Sequence, residues 1–530
     1  MLIDDLIRRN SRIQPQRPAV RSSDLNLSWR ETERRAAALA SQLAAAGVGH
    51  GDRVVVMHGN SPWTLLSWYA IWSAGAVLVP ISPLASQTEV ADAIRRTSAR
   101  LVIADRSSLP LCHEVSASLK SPVWTSAPDG GAADGRLSEL SAPTNLDSPP
   151  VRSDDIRTER DPAVIAFTSG TSGRPKGAML SHRNMLASAT SVALERSLTW
   201  RDRYYFATPM NHISAISFGV MTALSGGSFQ FAGKFDAERF VDDVRREPVT
   251  FVFLVPAMLR MVLDVLDRRG EKHLNAKALR LVCYGAAPIA PALLAEAIER
   301  LGCGFSQAYG MTEAAPVVSV LPPEDHTAAV AGEHAERLRS AGRPTFHARI
   351  RILDPDTRTP LPPGEVGEIA VAGPSLFQGY LDDPEASSSA FLGEWFLTGD
   401  GGHLDEHGYL YVSGRRSDLI LSGGVNVYPR EIELVLQEHP AVLEAVVIGV
   451  PDDKWGERVV ACVRLAEAEV DTSEMLFDFC RERLARYKVP KEIIPVEAFP
   501  RNPTGKILRR ALLQRLDELK LPGKQSREDE

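Results

Sequence analysis

The segment FTSGTSGRPKGA, residues Phe167–Ala178, concentrates glycines, hydroxyls and a lysine within a few positions. Glycine allows backbone turns with positive φ, and successive N–H groups in such turns form concave sites for phosphate oxygens. The apolar run Ala163–Phe167 before it predicts a short buried strand, so the loop hangs from a strand end. Lys176 adds a cation. The candidate phosphate-binding residues are Thr168, Ser169, Gly170, Thr171, Ser172, Gly173 and Lys176. The pattern is not a Walker A loop, because Pro175 precedes the lysine. A flexible surface turn remains the alternative.

Later segments carry further groups suited to a nucleotide. QAYGMTE offers an aromatic ring, a hydroxyl and a carboxylate at Tyr309, Thr312 and Glu313. Asp400 in TGD follows an aromatic run predicted as a strand, and acidic residues commonly accept hydrogen bonds from ribose hydroxyls. Lys506 lies in a glycine turn near the C-terminus, where a cation could offset charge on a phosphoryl group. Taken singly, each could instead be structural: a packed tyrosine, a turn-capping aspartate or a solvated basic helix face.

The elements that must position these groups alternate between helix and strand. Residues 28–105 predict helix, strand, helix and strand, with Ser28 as an N-cap, and the alternation resumes after the loop with a helix beginning at Pro256. Such alternation predicts parallel sheets layered with helices. Residues 107–155 predict a surface connection, and residues 349–371 predict an antiparallel β subdomain. The remainder after Asp418 predicts a compact α+β domain.

The composition limits the class of protein. The 530 residues carry a net charge of −7, which argues against a nucleic-acid partner. Five dispersed cysteines form no CxxC pair, which favours a reducing cytoplasm and offers no metal spacing. The N-terminus lacks the apolar region of a secretory signal. The most apolar run, Tyr69–Ile81, is too short to span a bilayer, so no integral membrane segment is expected.

The chain resembles the adenylate-forming superfamily in an ordered set of motifs along nearly its whole length: TSGTSGRPKG, PMNH, YGAAP, QAYGMTE, WFLTGD, GRRSDLILSGGVNVYP and PRNPTGK. That superfamily includes acyl-CoA synthetases, peptide-synthetase adenylation domains and luciferases. The resemblance implies a large N-terminal adenylation domain, residues 1–414, of layered α/β subdomains plus a β-rich subdomain. It also implies a small mobile α+β C-terminal domain, residues 415–530, that rotates between two half-reactions.

The resemblance further implies an AMP-forming acid–thiol ligase that uses ATP, Mg²⁺ and coenzyme A. Thr168 and Glu313 would lie at Mg²⁺, and Lys176, Glu313, His212 and Lys506 would be catalytic, with His212 bordering the acyl pocket. Tyr309 would stack on adenine, Thr312 would contact the α-phosphate, and Asp400 would bind the ribose hydroxyls beside Arg415. The remaining candidate nucleotide- and pantetheine-binding residues are Gly285, Ala286, Ala287, Gln307, Ala308, Gly310, Gly423 and Gly424. The chain departs from common members at Ser417, the expected pivot, and at Leu421.

The segment NHISAISFGVMTAL contains no acidic residue, whereas amino-acid adenylation domains hold the substrate ammonium with an aspartate there. The predicted pocket is formed by residues 213–220, 286–288, 307–308 and 314–317. Its apolar and small side chains favour a fatty or aryl carboxylic acid, as in fatty acid metabolism. Coenzyme A is the favoured acceptor, and a separate acyl carrier protein is the alternative. A non-catalytic nucleotide- or acyl-binding protein is a third interpretation. The oligomeric state is left open, a homodimer included.

Overall fold

The structure of the protein is a computed structural model. It describes residues 1–119, 122–125, 135–136, 156–168, 175–287, 289–422, 425–452, 455–466, 473–501 and 507–519.

The strands, in chain order, are β1 (Pro18–Arg21), β2 (Asn26–Ser28), β3 (Arg53–Met57), β4 (Val77–Ile81), β5 (Leu101–Ala104), β6 (Val123–Thr125), β7 (Gly135–Arg136), β8 (Pro162–Thr168), β9 (Lys176–Ser181), β10 (Arg203–Phe206), β11 (Ser228–Phe231), β12 (Phe251–Leu254), β13 (Leu281–Gly285), β14 (Gly304–Gly310), β15 (Val317–Leu321), β16 (Arg343–Pro344), β17 (Arg349–Leu353), β18 (Gly367–Ala372), β19 (Phe391–Leu392), β20 (Trp395–Leu404), β21 (Leu410–Arg415), β22 (Ile420–Ser422), β23 (Val425–Val427), β24 (Val442–Asp452), β25 (Gly456–Leu465) and β26 (Glu492–Pro495).

The α-helices connect these strands. They are α1 (Asp5–Ile13), α2 (Trp29–Ala45), α3 (Pro62–Ser73), α4 (Gln87–Thr97), α5 (Leu109–Leu119), α6 (His182–Glu195), α7 (Ile213–Ser225), α8 (Ala237–Arg246), α9 (Pro256–Arg268), α10 (Pro291–Leu301), α11 (Pro323–Val330), α12 (Pro384–Ser389), α13 (Pro429–Gln437), α14 (Ser473–Arg483) and α15 (Arg509–Leu519). The expected N-cap is confirmed: Ser28 forms a reciprocal capping box with Glu31. Pro256 begins α9, as predicted.

Two sheets form the large N-terminal region. One runs in the order β7-β6-β5-β3-β4-β8-β9, and the other runs β16-β15-β14-β13-β12-β10-β11-β1-β2. The central strands of both are parallel, while β9, β15, β16 and β2 pair antiparallel with their neighbours at the edges. This arrangement confirms the predicted parallel α/β layers.

Side chains of β3 show how the layers pack. Val54 and Val56 join the core shared by the two sheets with α2, α3, α6 and α7, whereas Val55 and Met57 join a second core with α4 and α5. Successive strand residues point to opposite faces, so an uninterrupted apolar strand is buried on both sides. The other sheet has α8, α9 and α10 on its outer face. The helices and sheets therefore alternate in layers.

The last two sheets are mostly antiparallel. One runs β17-β18-β20-β19 with β21 beside β20, and it confirms the predicted β subdomain. The other runs β23-β22-β25-β24 with β26 beside β25, and α13 to α15 cover its two faces. It forms the smaller α+β region, so the predicted fold class is confirmed. The boundary at residue 414 stays a prediction. Among the helices in the described part of the chain, none combines the length and apolar character that a bilayer crossing requires.

Candidate active site

The candidate site begins at the carboxyl ends of β13 and β14. These strands pair in parallel with Gly285 opposite Ala308, and β15 then returns antiparallel to β14. A Cβ on Gly285 would lie 2.4 Å from the carbonyl oxygen of Ala308, so only glycine fits at this close approach. The next residue, Ala286, is exposed in a left-handed conformation with φ of 64°. The turn thus presents exposed backbone at the edge where ligands bind in parallel sheets.

Three of the predicted nucleoside-binding residues meet at this edge. The Tyr309 hydroxyl donates to Asp400 Oδ2 at 2.7 Å, and Arg415 Nε pairs with Asp400 Oδ1 at 2.8 Å. Burial and the neighbouring Asp400 raise the pKa of Tyr309, so its hydroxyl stays a donor. The charge of Asp400 raises the pKa of Arg415, with smaller effects of Tyr309 and Glu313. Asp400 is therefore a buried, oriented carboxylate beside a cation and an aromatic ring.

The position of Asp400 differs from the expectation that it follows a strand. It lies inside β20 and pairs with Arg415 of β21 across the antiparallel ladder. A β-bulge follows directly, because the register shifts between Gly401 and Gly402. The ladder, which the local sequence pattern does not reveal, fixes Asp400 and Arg415 side by side.

The predicted phosphate-side residues form a second cluster. Thr168 of β8 pairs with Lys176 of β9, so the two strand ends hold the loop between them. Lys176 Nζ lies 5.0 Å from the ring centroid of Tyr380, and the Tyr380 hydroxyl donates to Glu313 Oε1 at 3.0 Å. The cluster joins a cation and a carboxylate through one tyrosine.

Tyr380 is a site residue that the sequence analysis did not single out. Its segment runs beside β9: Leu381 N–H donates to Gly177 O at 2.8 Å, and Phe377 N–H donates to Glu313 O at 2.8 Å. These bonds place the segment against both β9 and the 3₁₀ turn Thr312–Ala314. A tyrosine following a glycine in FQGY is too common a pattern to have predicted this contact.

His212 lies immediately before α7, and its side chain makes no capping hydrogen bond. Burial lowers its pKa, so the imidazole is neutral near pH 7. It is followed by the apolar start of α7, where Ile213, Ala215 and Ile216 are buried in the core between the sheets. A neutral histidine therefore lies directly before the buried apolar residues that begin α7.

The remaining predicted residues divide into two groups. Ala287, Gln307, Ala308, Gly310 and Thr312 all lie on β14 or on the turns beside it. Gln307 Oε1 is buried and has no hydrogen-bond partner among the described residues. The others lie outside the residues that the structure describes: Ser169, Gly170, Thr171, Ser172, Gly173, Gly423, Gly424 and Lys506.

The donor set fits a Mg²⁺-nucleotide. Within the described ranges, no group of three or more His, Cys, Asp or Glu side chains could hold a metal ion. Mg²⁺ in nucleotide sites is usually held by one or two protein oxygens together with phosphate oxygens and water. The Thr168 hydroxyl and the Glu313 carboxylate are oxygen donors of that kind, and Lys176 and Arg415 are cations on the same side of the sheet edge.

Comparison with known proteins gives matches over nearly the whole chain. The family model of the AMP-binding enzyme matches residues 7–381, and that of the AMP-binding enzyme C-terminal domain matches residues 431–506. A feruloyl-CoA synthase of Amycolatopsis sp. is 36% identical, over 94% of this chain and 96% of the relative. A fatty acid–[acyl-carrier-protein] ligase of Streptomyces coeruleorubidus is 34% identical, over 95% and 94%. The crystal structure of ATP-bound MatB from Rhodopseudomonas palustris is similar with a TM-score of 0.87 and 30% identity, covering 98% of this chain and all (100%) of that one.

Proposed function

The chain belongs to the AMP-binding enzyme family, and from that premise we propose that it joins a carboxylic acid to a thiol at the expense of ATP. The first half-reaction forms an acyl-adenylate and releases pyrophosphate. The second transfers the acyl group to coenzyme A and releases AMP.

One observation carries this proposal: the Tyr309–Asp400–Arg415 group and the Lys176–Tyr380–Glu313 group flank the same strand end. Arg415 lies close enough to Glu313 for the carboxylate to add to the rise in the arginine pKa, after Asp400 itself. Asp400, which would accept the ribose hydroxyls, thus lies in the same site as Lys176 and Arg415, whose positive charge suits a bound nucleotide.

In the first half-reaction two anions, the substrate carboxylate and the α-phosphate, must approach each other. Asp400 would accept hydrogen bonds from the ribose hydroxyls, and the Tyr309 ring would stack on adenine. Lys176 and the preceding loop would bind the departing pyrophosphate, and Thr312 would contact the α-phosphate. We infer that Lys506 offsets the charge that builds up between the reacting groups.

Mg²⁺ would be held by Thr168 and Glu313 with the phosphates, and it would neutralise charge on the phosphate oxygens. Tyr380 donates to Glu313 and so orients the carboxylate toward one direction. The Glu313 carboxylate is therefore oriented before Mg²⁺ would bind to it.

In the second half-reaction the thiol must reach the acyl carbon. His212 is neutral and stands at the start of α7, where it would border both the acyl pocket and the thiol entrance. Gly423 and Gly424 would line the pantetheine path. None of the five cysteines forms a disulfide within the described part of the chain, which agrees with the reducing cytoplasm proposed as its location.

Two acceptors are supported by relatives. The feruloyl-CoA synthase favours an aryl acid and coenzyme A, whereas the acyl-carrier-protein ligase supports the alternative of a fatty acid and a carrier protein. The match to the C-terminal family model agrees with a transfer step, and coenzyme A remains our first choice.

The test is pyrophosphate release from Mg-ATP with a panel of fatty, aryl and amino acids, with and without coenzyme A. We expect release with a fatty or aryl acid and the matching acyl-CoA by mass spectrometry. Release without any thioester would favour a carrier protein. No release with any acid would contradict the proposed activity.

The role of Lys506 gives a sharper prediction. Lys506→Ala should lower the rate of adenylation by about 10²–10³-fold, because the charge that accumulates between two anions loses its counterion. Thioester formation from synthetic acyl-adenylate should continue at a similar rate. If quenched-time-point assays showed the same fold-decrease in the adenylation rate and in the thioester-formation rate, the proposed role of Lys506 would be wrong.

A further inference from the structure

Arg196, directly after α6, is the least expected charge in the large region. Its side chain is buried, with 3% of the residue exposed, and its Nε donates to the Ser306 hydroxyl at 3.2 Å. Both Nη1 and Nη2 are buried and have no hydrogen-bond partner among the described residues. The guanidinium carbon lies 5.3 Å from the ring centroid of Phe218. The Arg196 guanidinium is thus buried between the sheets, and its two terminal nitrogens have no hydrogen-bond acceptor among the described residues.

No acidic side chain in the described part of the chain lies within ion-pair distance of Arg196. The neighbouring Glu195 is exposed, and the nearby Asp202 is bound by Arg280 Nε at 2.7 Å. Arg157, whose side chain is 9% exposed, is by contrast paired: it contacts Asp4 at 3.3 Å and the Trp72 carbonyl at 2.7 Å. Since an unpaired buried charge is costly, a partner for Arg196 is expected from outside the chain.

The strand register places this guanidinium below the predicted acyl pocket. Cys283 and Ser306 are paired neighbours on β13 and β14, two residues before the pair Gly285 and Ala308 at the strand ends. Because side chains alternate, Ser306 shares a face with Ala308, and the two-residue step is ~7 Å. Phe218 lies on α7, within the residues 213–220 that the sequence analysis assigns to the same pocket.

Electrostatics agree with this location. Burial raises the pKa of the Cys283 thiol, and the charge of Arg196 opposes that rise. The guanidinium therefore lies near Cys283 of β13 as well as bonded to Ser306, which pairs with Cys283 on β14.

We propose that Arg196 is the inner anion-binding group of the acyl pocket, and that the substrate is a carboxylic acid with a second carboxylate at its far end. This rests on the proposed function, since the pocket is the one that would hold the acid during adenylation. The second carboxylate would accept a paired hydrogen bond from Nη1 and Nη2, a geometry that arginine favours. It would lie roughly 7–10 Å from the reacting carboxylate, given the strand step. The pocket is then not purely apolar, and its substrate class is narrower than fatty or aryl acids at large.

The experiment compares matched acids that differ only in the far carboxylate: octanoate with suberate, and 3-phenylpropanoate with 3-(4-carboxyphenyl)propanoate. Pyrophosphate release and acyl-CoA formation are measured for wild type, Arg196→Met and Arg196→Lys. Wild type should prefer the diacid in at least one pair. Arg196→Met should lower the diacid-to-monoacid ratio of kcat/KM by about 10- to 100-fold, as expected for lost hydrogen bonds to a charged group. Arg196→Lys should retain part of the preference.

A matched control separates binding from folding. Arg157→Met also removes a largely enclosed arginine, but one with partners, so it should lower the melting temperature and leave the diacid-to-monoacid ratio unchanged. Arg196→Met should not lower the melting temperature of the ligand-free protein to the same extent.

Several results would overturn the proposal for Arg196 while leaving the ligase function intact. These are a wild type that prefers the monoacid in both pairs, an unchanged ratio in Arg196→Met, or an equal loss for both acids in that variant. No thioester or pyrophosphate with any acid would instead contradict the ligase function itself.

Discussion

At the scale of single residues, the site depends on side chains that hold one another before a ligand arrives. Asp400 is buried, accepts a hydrogen bond from the Tyr309 hydroxyl at Oδ2 and forms an ion pair with Arg415 through Oδ1. A buried carboxylate without such partners would be strongly disfavoured. The same contacts orient the remaining lone pairs of the Asp400 carboxylate. Tyr309 therefore has two separable roles: its hydroxyl positions Asp400, and its ring would contact adenine.

These two roles predict different effects for two substitutions. Tyr309→Phe keeps the ring and removes one hydrogen bond to a charged group, so KM for ATP should rise by no more than about 10-fold. Tyr309→Ala also removes the stacking surface and should cost a further factor of about 5–100. Both are measured by pyrophosphate release at varied ATP concentration. Equal effects of the two variants would argue against stacking.

At the scale of elements, two buried histidines join segments that are distant in sequence. His182 at the start of α6 accepts a hydrogen bond at Nδ1 from the Ile3 N–H at 3.2 Å. His326 of α11 accepts from the Tyr284 hydroxyl of β13 at Nε2, 2.8 Å, and donates from Nδ1 to the Pro322 carbonyl. Each ring uses a neutral nitrogen as acceptor. Burial lowers the pKa of both His182 and His326 to about 4.

Both histidines should therefore make the fold sensitive to acid. The unfolded chain takes up a proton near pH 6.5, whereas the folded chain resists protonation until about pH 4. Their contribution to stability is present above pH 6.5 and is lost as the pH falls toward 4, on the order of 2–3 kcal/mol per histidine. Urea unfolding from pH 7.5 to 4.5 measures it.

His326→Gln provides the comparison for this pH dependence. The amide keeps an acceptor for Tyr284 and does not titrate, so the variant should lose less stability than wild type between pH 6.5 and 4.5. Identical pH slopes for the two proteins would show that His326 does not contribute.

At the scale of the whole molecule, the large and small regions meet at a short connection between β21 and β22. Arg416 forms an ion pair with Glu368 of the large region, while Asp418 pairs with Arg509 of the small region at 3.3 Å. Ser417 lies between these two anchors. Arg339 also pairs with Glu438 across the regions. The arrangement supports the proposal that the backbone at Ser417 is the pivot.

The pivot predicts unequal effects on the two half-reactions. Ser417→Pro fixes φ and restricts Arg416, so one orientation of the small region should be favoured over the other. Relative to wild type, the fold-decrease in the adenylation rate should then differ from the fold-decrease in the thioester-formation rate by at least about 10-fold. Ser417→Ala, which leaves φ free, should keep their ratio. Parallel losses in Ser417→Pro, measured with ATP exchange and with supplied acyl-adenylate, would exclude the pivot role.

Local patterns sufficed for much of this protein. Strand and helix alternation, the Ser28 cap and the phosphate-type loop depend on residues close in sequence, so the layered fold class could be predicted. The ordered motifs were sufficient to identify the family and to name most of the candidate site residues. The departure at Asp400, which lies within β20 and not after it, shows that strand ends are less well specified by local sequence.

Sequence alone thus determined the fold class, the family and the kinds of chemical group available. The tertiary structure decided which of them meet: Tyr309 with Asp400 across 91 positions, Tyr380 with Glu313 across 67, and Arg196 with Ser306 across 110. The physical reason is that sheet register and layer packing set the distances between these residues. Because most arginines are exposed, the sequence alone predicts a surface position for Arg196, and only its packing shows that it is buried.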